Sequence, residues 1–282
     1  MARKDGPITV CVINLKGGVG KSTIATLLCR EALINRKKDV LAIDLDPQAN
    51  LSQALMHYSY NQFLSEQWPS VVELFNGYQP PSASTGGPTG LTNNSVVQTI
   101  TTIGDNTLQI IPSRFDFSDN LIDSARPDPR VLARFLAKNF KKKDLIIIDC
   151  APTESILTRA AYHASRLVLI PVKPEYFATI GFPLLQESLT SFRKQNRGHR
   201  IDVSGIVINN AFYDGGNNGG PEKKRALGDI ESEALINGWR IFNNEIPFSR
   251  GFPKITRGDH SYTGNAVMFR YFANEFFDQI GL

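Results

Sequence analysis

The 282 residues carry 41% hydrophobic and 21% charged side chains, ample for a large core, and the net charge of +4 is compatible with a local basic surface without itself marking a nucleic-acid binder. Three separated cysteines, Cys11, Cys29 and Cys150, offer no CxxC or Cys/His metal spacing and fit a reducing cytosol. No stretch approaches the ~20 apolar residues of a membrane span, and the short charged start, Met1 to Pro7, does not read as a signal peptide, so one soluble cytoplasmic domain over residues 1–282 is expected.

Residues 8–13 are apolar and rich in β-branched side chains, and they predict a first strand. They run into Lys16-Gly17-Gly18-Val19-Gly20-Lys21-Ser22-Thr23, the pattern of a phosphate-binding glycine loop opening a helix, here over residues 21–35. Gly17, Gly18 and Gly20 let the backbone curl so that successive N–H groups, that of Val19 among them, face phosphate oxygens, helped by the positive end of the helix. Lys21 then reaches the β- and γ-phosphates, the Ser22 hydroxyl takes a position on Mg²⁺, and Thr23 helps hold the α-phosphate. Leu15 stands where the strict pattern has glycine, and Lys16 is an additional lysine at the loop front. A dinucleotide fingerprint would need a third glycine at Thr23 and leaves Gly-Lys-Ser unexplained.

A second strand, Val40 to Ile43, ends at Asp44. Asp44 and Asp46 sit on the rim where open parallel sheets bind ligands and can face the metal and γ-phosphate; alternatively, Asp46-Pro47 only opens a turn. Helical patches occupy residues 51–77, and the Pro-, Ser-, Thr- and Gly-rich stretch 78–95 predicts a flexible loop. Leu108 to Ser113 reads as a strand. The segment from Phe115 to Phe140 reads as mostly helical around Pro127-Asp128-Pro129, with Pro129 in an opening turn and Lys141-Lys142-Lys143 after it, either a solvated helix end or a DNA contact. Leu145 to Ile148, apolar at every position, predicts a strand covered on both faces, with Asp149 at its end holding a Mg²⁺-bound water. Leu167 to Val172 is another buried strand, followed by a helix opening at Pro174 to Ala178. That helix ends in Arg193, Lys194, Arg197 and Arg200, either an ordinary cationic flank or a DNA contact. Val203 to Asn209 is a further strand. A glycine-rich loop over residues 214–221 then leads to Lys223, Lys224 and Arg225, which can follow a phosphate backbone or simply be solvated. The aromatic stripe from Ala266 to Ile280 predicts a final helix packed on the core.

Three motifs stand in order: Lys16 to Thr23, then Asp44-Leu45-Asp46-Pro47-Gln48-Ala49-Asn50, then Leu145-Ile146-Ile147-Ile148-Asp149-Cys150-Ala151-Pro152. Together they resemble the deviant Walker ATPases and, within them, the ParA group. The resemblance implies a doubly wound α/β P-loop fold with a mostly parallel sheet of about seven to eight strands, and a slow ATPase using ATP and Mg²⁺. It also implies site roles: Asp46 positions the attacking water, Asp44 supports Mg²⁺ through water, residues 150–158 form a switch segment, and Asn209 and Pro247 flank the adenine. Lys16 would cross a dimer interface onto the other subunit's phosphates. The implied partners are an ATP-dependent homodimer, non-specific DNA at the nucleoid, and a ParB-like or other cargo adaptor that stimulates hydrolysis, without stable membrane association; operator-specific repression through an N-terminal helix-turn-helix extension is not expected. Two other readings share the phosphate loop. A MinD-like membrane-cycling switch is opposed by Glu275 and Asp278 on the last helix, and a dethiobiotin-synthetase-like ligase by Lys16 and the Asp-Pro-Gln segment.

Overall fold

The structure is a computed structural model and describes residues 6–77, 93–115, 117, 128–210, 220–247 and 266–282. Its strands are β1 (Ile8–Val12), β2 (Val40–Leu45), β3 (Gln98–Ile103), β4 (Asn106–Ile111), β5 (Leu145–Cys150), β6 (Leu167–Val172) and β7 (Asp202–Ile208). They form a single sheet in the order β3-β4-β2-β5-β1-β6-β7, parallel throughout except for β3 against β4. The described helices are α1 (Lys21–Ile34), α2 (Asn50–Met56), α3 (Tyr58–Ser65), α4 (Val71–Gly77), α5 (Asn93–Val96), α6 (Val131–Asn139), α7 (Ile156–Ala164), α8 (Phe182–Gln195), α9 (Gly220–Asn237) and α10 (Ala266–Ile280).

The continuous apolar runs of β2 and β5 are buried at every position because both faces of the sheet are covered. Successive side chains alternate between those faces. Cys11, Ile13, Ile146 and Ile148 join Phe135, Leu157 and Leu185 of α6, α7 and α8, while Val10, Val12, Leu145 and Ile147 join Leu28, Phe272 and Phe276 of α1 and α10. The aromatic stripe of α10 is thus core, as its spacing predicts: Phe269, Phe272, Phe276 and Phe277 are all buried. Register places Val12 and Asp44 each opposite Asp149, so β1, β2 and β5 end together on one rim.

Four departures have physical reasons. Strand β3 escapes a pattern search because it lies on the sheet edge, four of its six residues polar and most of it exposed. The helix expected to open at Pro174 begins only at Phe182, since the chain between them forms turns with Phe177 at a left-handed φ of 60°. Lys223, Lys224 and Arg225 lie not in a loop but in the first turns of α9, which anchors through Ala226, Ile230 and Ala234 at four-residue spacing. Lys143 is buried rather than solvated, bonded to Asp39 at 2.9 Å and to Thr107 at 2.8 Å. Within the helical stretch expected over 115–140, α6 is described, with Pro129 in the turn before it. Positions 116 and 118–127, most of the loop expected at 78–95 and most of that at 214–221 lie outside the described residues.

Candidate functional site

Between β1 and α1 the loop opens onto a cleft of about 540 Å³ lined by Gly17, Gly18, Gly20, Lys21, Ser22 and Thr23 on one side and by Asp46, Gln48, Asn50 and Pro152 on the other. Gly20 is obligatory here. Its φ is 92°, and a Cβ would come within 2.3 Å of the Asn209 side-chain nitrogen. That nitrogen donates to the Val19 carbonyl at 2.9 Å, so the buried end of β7 braces the loop from behind. The β7 end in turn pairs with the strand-like segment at Ile246, which brings Pro247 beside Asn209 and Asn210.

Lys21 is buried, and burial lowers its pKa against the opposing pull of Asp149 and Asp46. Its Nζ rests 3.3 Å from the Lys16 carbonyl. Asp46 lines the cleft from a tight turn in which its carboxylate accepts the Gln48 N–H at 2.9 Å and its carbonyl accepts the Ala49 N–H at 2.8 Å.

Asp44 and Asp149 are both fully buried. The oxygens of Asp44 accept from the Asp46 N–H at 3.0 Å, the Ser52 N–H at 2.8 Å and the Ser52 hydroxyl at 2.7 Å, and Ser52 accepts the Ser113 N–H at 2.9 Å. Burial still pushes the Asp44 pKa up to about 7, with those bonds opposing. Asp149 has no well-formed hydrogen bond to either oxygen. Burial and then Asp44 raise its pKa well above the carboxylate range, while the nearby Ser22 hydroxyl and Lys21 favour its charged form. A dry, orphaned carboxylate beside a serine hydroxyl is the hard-oxygen donor set that Mg²⁺ and its waters take. Ser22 and Asp149 therefore fit that ion, whereas Asp44 spends its oxygens bracing the Asp46 turn.

Lys16 does not point into this cleft. Its Nζ pairs with Glu175 at 2.8 Å and donates to the Tyr176 and Phe177 carbonyls at 3.2 and 3.4 Å, and its own N–H donates to Asn14 at 2.9 Å. Asn14, which sequence reasoning passed over, is buried and donates to the Pro171 carbonyl at 2.8 Å, tying the loop front to β6. Tyr176 and Phe177, which Lys16 contacts, and Ile180 and Leu184 further along the same segment are each at least 59% exposed, the kind of apolar exposure that marks an interaction surface.

The seven candidate DNA cations divide. Arg193 donates twice to the Ile201 carbonyl and Lys223 pairs with Glu245 at 3.6 Å, while Lys194, Arg197, Arg200, Lys224 and Arg225 are exposed.

A protein-family model described as an AAA domain matches residues 8–202. The chain is 31% identical over 241 residues to the chromosome-partitioning ATPase Soj of Treponema pallidum, covering 85% of this chain and 82% of that one. The ATP complex of a McdA variant from Cyanothece superposes with a TM-score of 0.76 at 20% identity, covering 98% and 97% of the two chains. A cobyrinic acid a,c-diamide synthase from Mycobacterium smegmatis with bound ADP and magnesium gives 0.68 at 21% identity, covering 95% and 93%.

Proposed function

The chain belongs to the P-loop ATPases of the ParA/Soj/MinD partition superfamily, and from that premise we propose that it is an ATP-dependent dimerisation switch that positions a DNA or protein cargo. In this reading the amides of Gly17 to Gly20 and the buried Lys21 hold the triphosphate, Thr23 supports the α-phosphate, and Asn209 and Pro247 border the adenine. Ser22 and Asp149 hold Mg²⁺, Asp149 through water, and the ion neutralises charge on the phosphates. Asp46 orients the attacking water from its rigid turn. Asp44, cast by the family resemblance as part of the Mg²⁺ shell, contributes mainly by holding that turn in place.

The observation that carries the reading is the place of Lys16: at the loop front, facing away from its own cleft, in contact with the exposed Tyr176 and Phe177. A lysine so placed can reach phosphates bound by a second copy, making ATP the joint of a two-fold dimer. Dimerisation would gather the exposed cations Lys194, Arg197, Arg200, Lys224 and Arg225 of both copies for non-specific DNA binding, which an adaptor ends by stimulating hydrolysis. The burial of Phe269, Phe272, Phe276 and Phe277 of α10 supports this over a MinD-like membrane cycle driven by that helix.

Light scattering with a non-hydrolysable ATP analogue and Mg²⁺ tests the dimer: the wild-type chain doubles in mass and Lys16→Ala does not. A DNA-shift assay should then show binding with ATP only, lost in the same variant. A monomer under saturating analogue refutes the proposal, and turnover stimulated by a small carboxylic acid or amine would favour the ligase reading.

A further inference from the structure

At the opposite end of the sheet from the nucleotide cleft, where β2, β4 and β5 begin, lies an open groove of about 680 Å³. One wall is the hairpin face carrying Thr99, Thr107 and Gln109; the other is the end of α6 and the turn after it, carrying Lys138, Lys141 and Lys142. The carboxylate in its lining, Asp39, is already consumed: its Oδ1 accepts from Lys143 at 2.9 Å and from the Thr107 N–H and hydroxyl at 2.9 and 2.6 Å. These contacts hold the Asp39 carboxyl below its ordinary range despite partial burial. Lys138, Lys141 and Lys142 are exposed, and no described carboxylate pairs with them.

The groove runs beside a second unused feature. Strand β3 pairs only with β4 among the described strands, and its Thr101, Thr102 and Ile103 are exposed, so among the described residues one row of its backbone donors and acceptors is left for an added strand. We infer that the β3 edge and the Lys138, Lys141 and Lys142 groove together dock an acidic, extended segment of a partner polypeptide, its backbone extending the sheet and its carboxylates meeting the lysines.

Two features favour a peptide over nucleic acid. The cations line a concavity rather than a flat track along which duplex phosphates could lie. The aromatic side chain in the lining, Phe140, is buried and offers no platform on which a base could stack. The surface lies away from Lys16 and the nucleotide cleft, so it does not depend on the dimer reading.

The test uses the full chain and a fluorescein-labelled decapeptide of alternating Glu and Val, with its Lys/Val counterpart and a duplex DNA as competitors. Fluorescence anisotropy should report saturable binding of the Glu/Val peptide, weakened about tenfold or more in the triple variant Lys138→Glu/Lys141→Glu/Lys142→Glu, whose ATP turnover stays at the wild-type rate. Hydrogen exchange should show the amides of residues 98–103 slowed by the peptide. Equal affinity for wild type and variant, no saturation, or unchanged exchange in β3 would each overturn the inference. Stronger competition by DNA than by unlabelled peptide would make the groove a nucleic-acid surface instead.

Discussion

Asp44 and Asp149 end neighbouring strands in register, equally buried and both with raised pKa, yet their oxygens are partnered very differently. The end of β2 is closed: three donors converge on Asp44 and make it a fastener for the turn that carries Asp46. The end of β5 is less furnished: neither Asp149 oxygen has a well-formed hydrogen bond, and the Ser22 hydroxyl and Lys21 are the nearby groups that favour its charge. Burial alone therefore does not separate a structural acid from a ligand-seeking one. The donor inventory around it does.

The sharpest way to break this contrast is a pair of alanine substitutions in nucleotide-free protein. Asp44→Ala strands the Asp46 and Ser52 donors in a dry site and should cost about 3 kcal/mol by urea denaturation. Asp149→Ala removes a buried carboxyl without a well-formed hydrogen bond and should cost less than about 1 kcal/mol. The same variant should lose ~10–100-fold in Mg²⁺-dependent ATP turnover, as outer-sphere ligands do elsewhere. Chelating Mg²⁺ with EDTA should then bring the two proteins to the same residual ATP affinity. Should both alanines destabilise the protein equally, the distinction between the two strand ends is lost.

A pH series sharpens the contrast further. With a folded pKa of about 7 against roughly 3.9 unfolded, Asp44 keeps its proton in the folded chain after the unfolded chain has lost it. Its contribution is full below about pH 4 and fades as pH rises to about 7, at up to about 1.4 kcal/mol per pH unit. Asp149, also raised, acts in the same direction. Asp149→Asn should therefore flatten, without abolishing, the fall in stability between pH 5 and pH 7, read from urea midpoints; an unchanged slope would mean that Asp149 holds no extra proton in the folded state. The smallest effect belongs to Ser52→Ala, which removes one hydroxyl bridge between Asp44 and Ser113 and should cost about 1 kcal/mol with ATP affinity unchanged. Loss of ATP binding in that variant would mean that the β2 end is not a purely structural fastener.

Much of the site was legible in the chain because its chemistry is local. A glycine loop, a following lysine and hydroxyl, and an acid at the end of an apolar run need only a strand, a turn and a helix in succession to converge, and Lys21, Ser22, Asp46 and Asp149 do converge. The division of labour between Asp44 and Asp149 was not legible, because it depends on where Ser52 lands. Nor was the hold of Glu175 on Lys16, which bridges partners more than 150 positions apart, or the burial of Lys143 against Asp39, which lie 104 positions apart. The exposed β3 edge was invisible for a different reason: a strand with one side open needs no apolar alternation.

The order of the motifs, through the family they resemble, thus gave the class of fold, and the glycine loop with its Lys-Ser gave the kind of ligand, since the loop follows from backbone geometry and side-chain type over a few consecutive residues. Folding assigned the partners. It decided which acid is satisfied and which is not, which lysine faces outward, and where an edge and a groove lie side by side, because each of those depends on segments that meet only once the sheet has assembled.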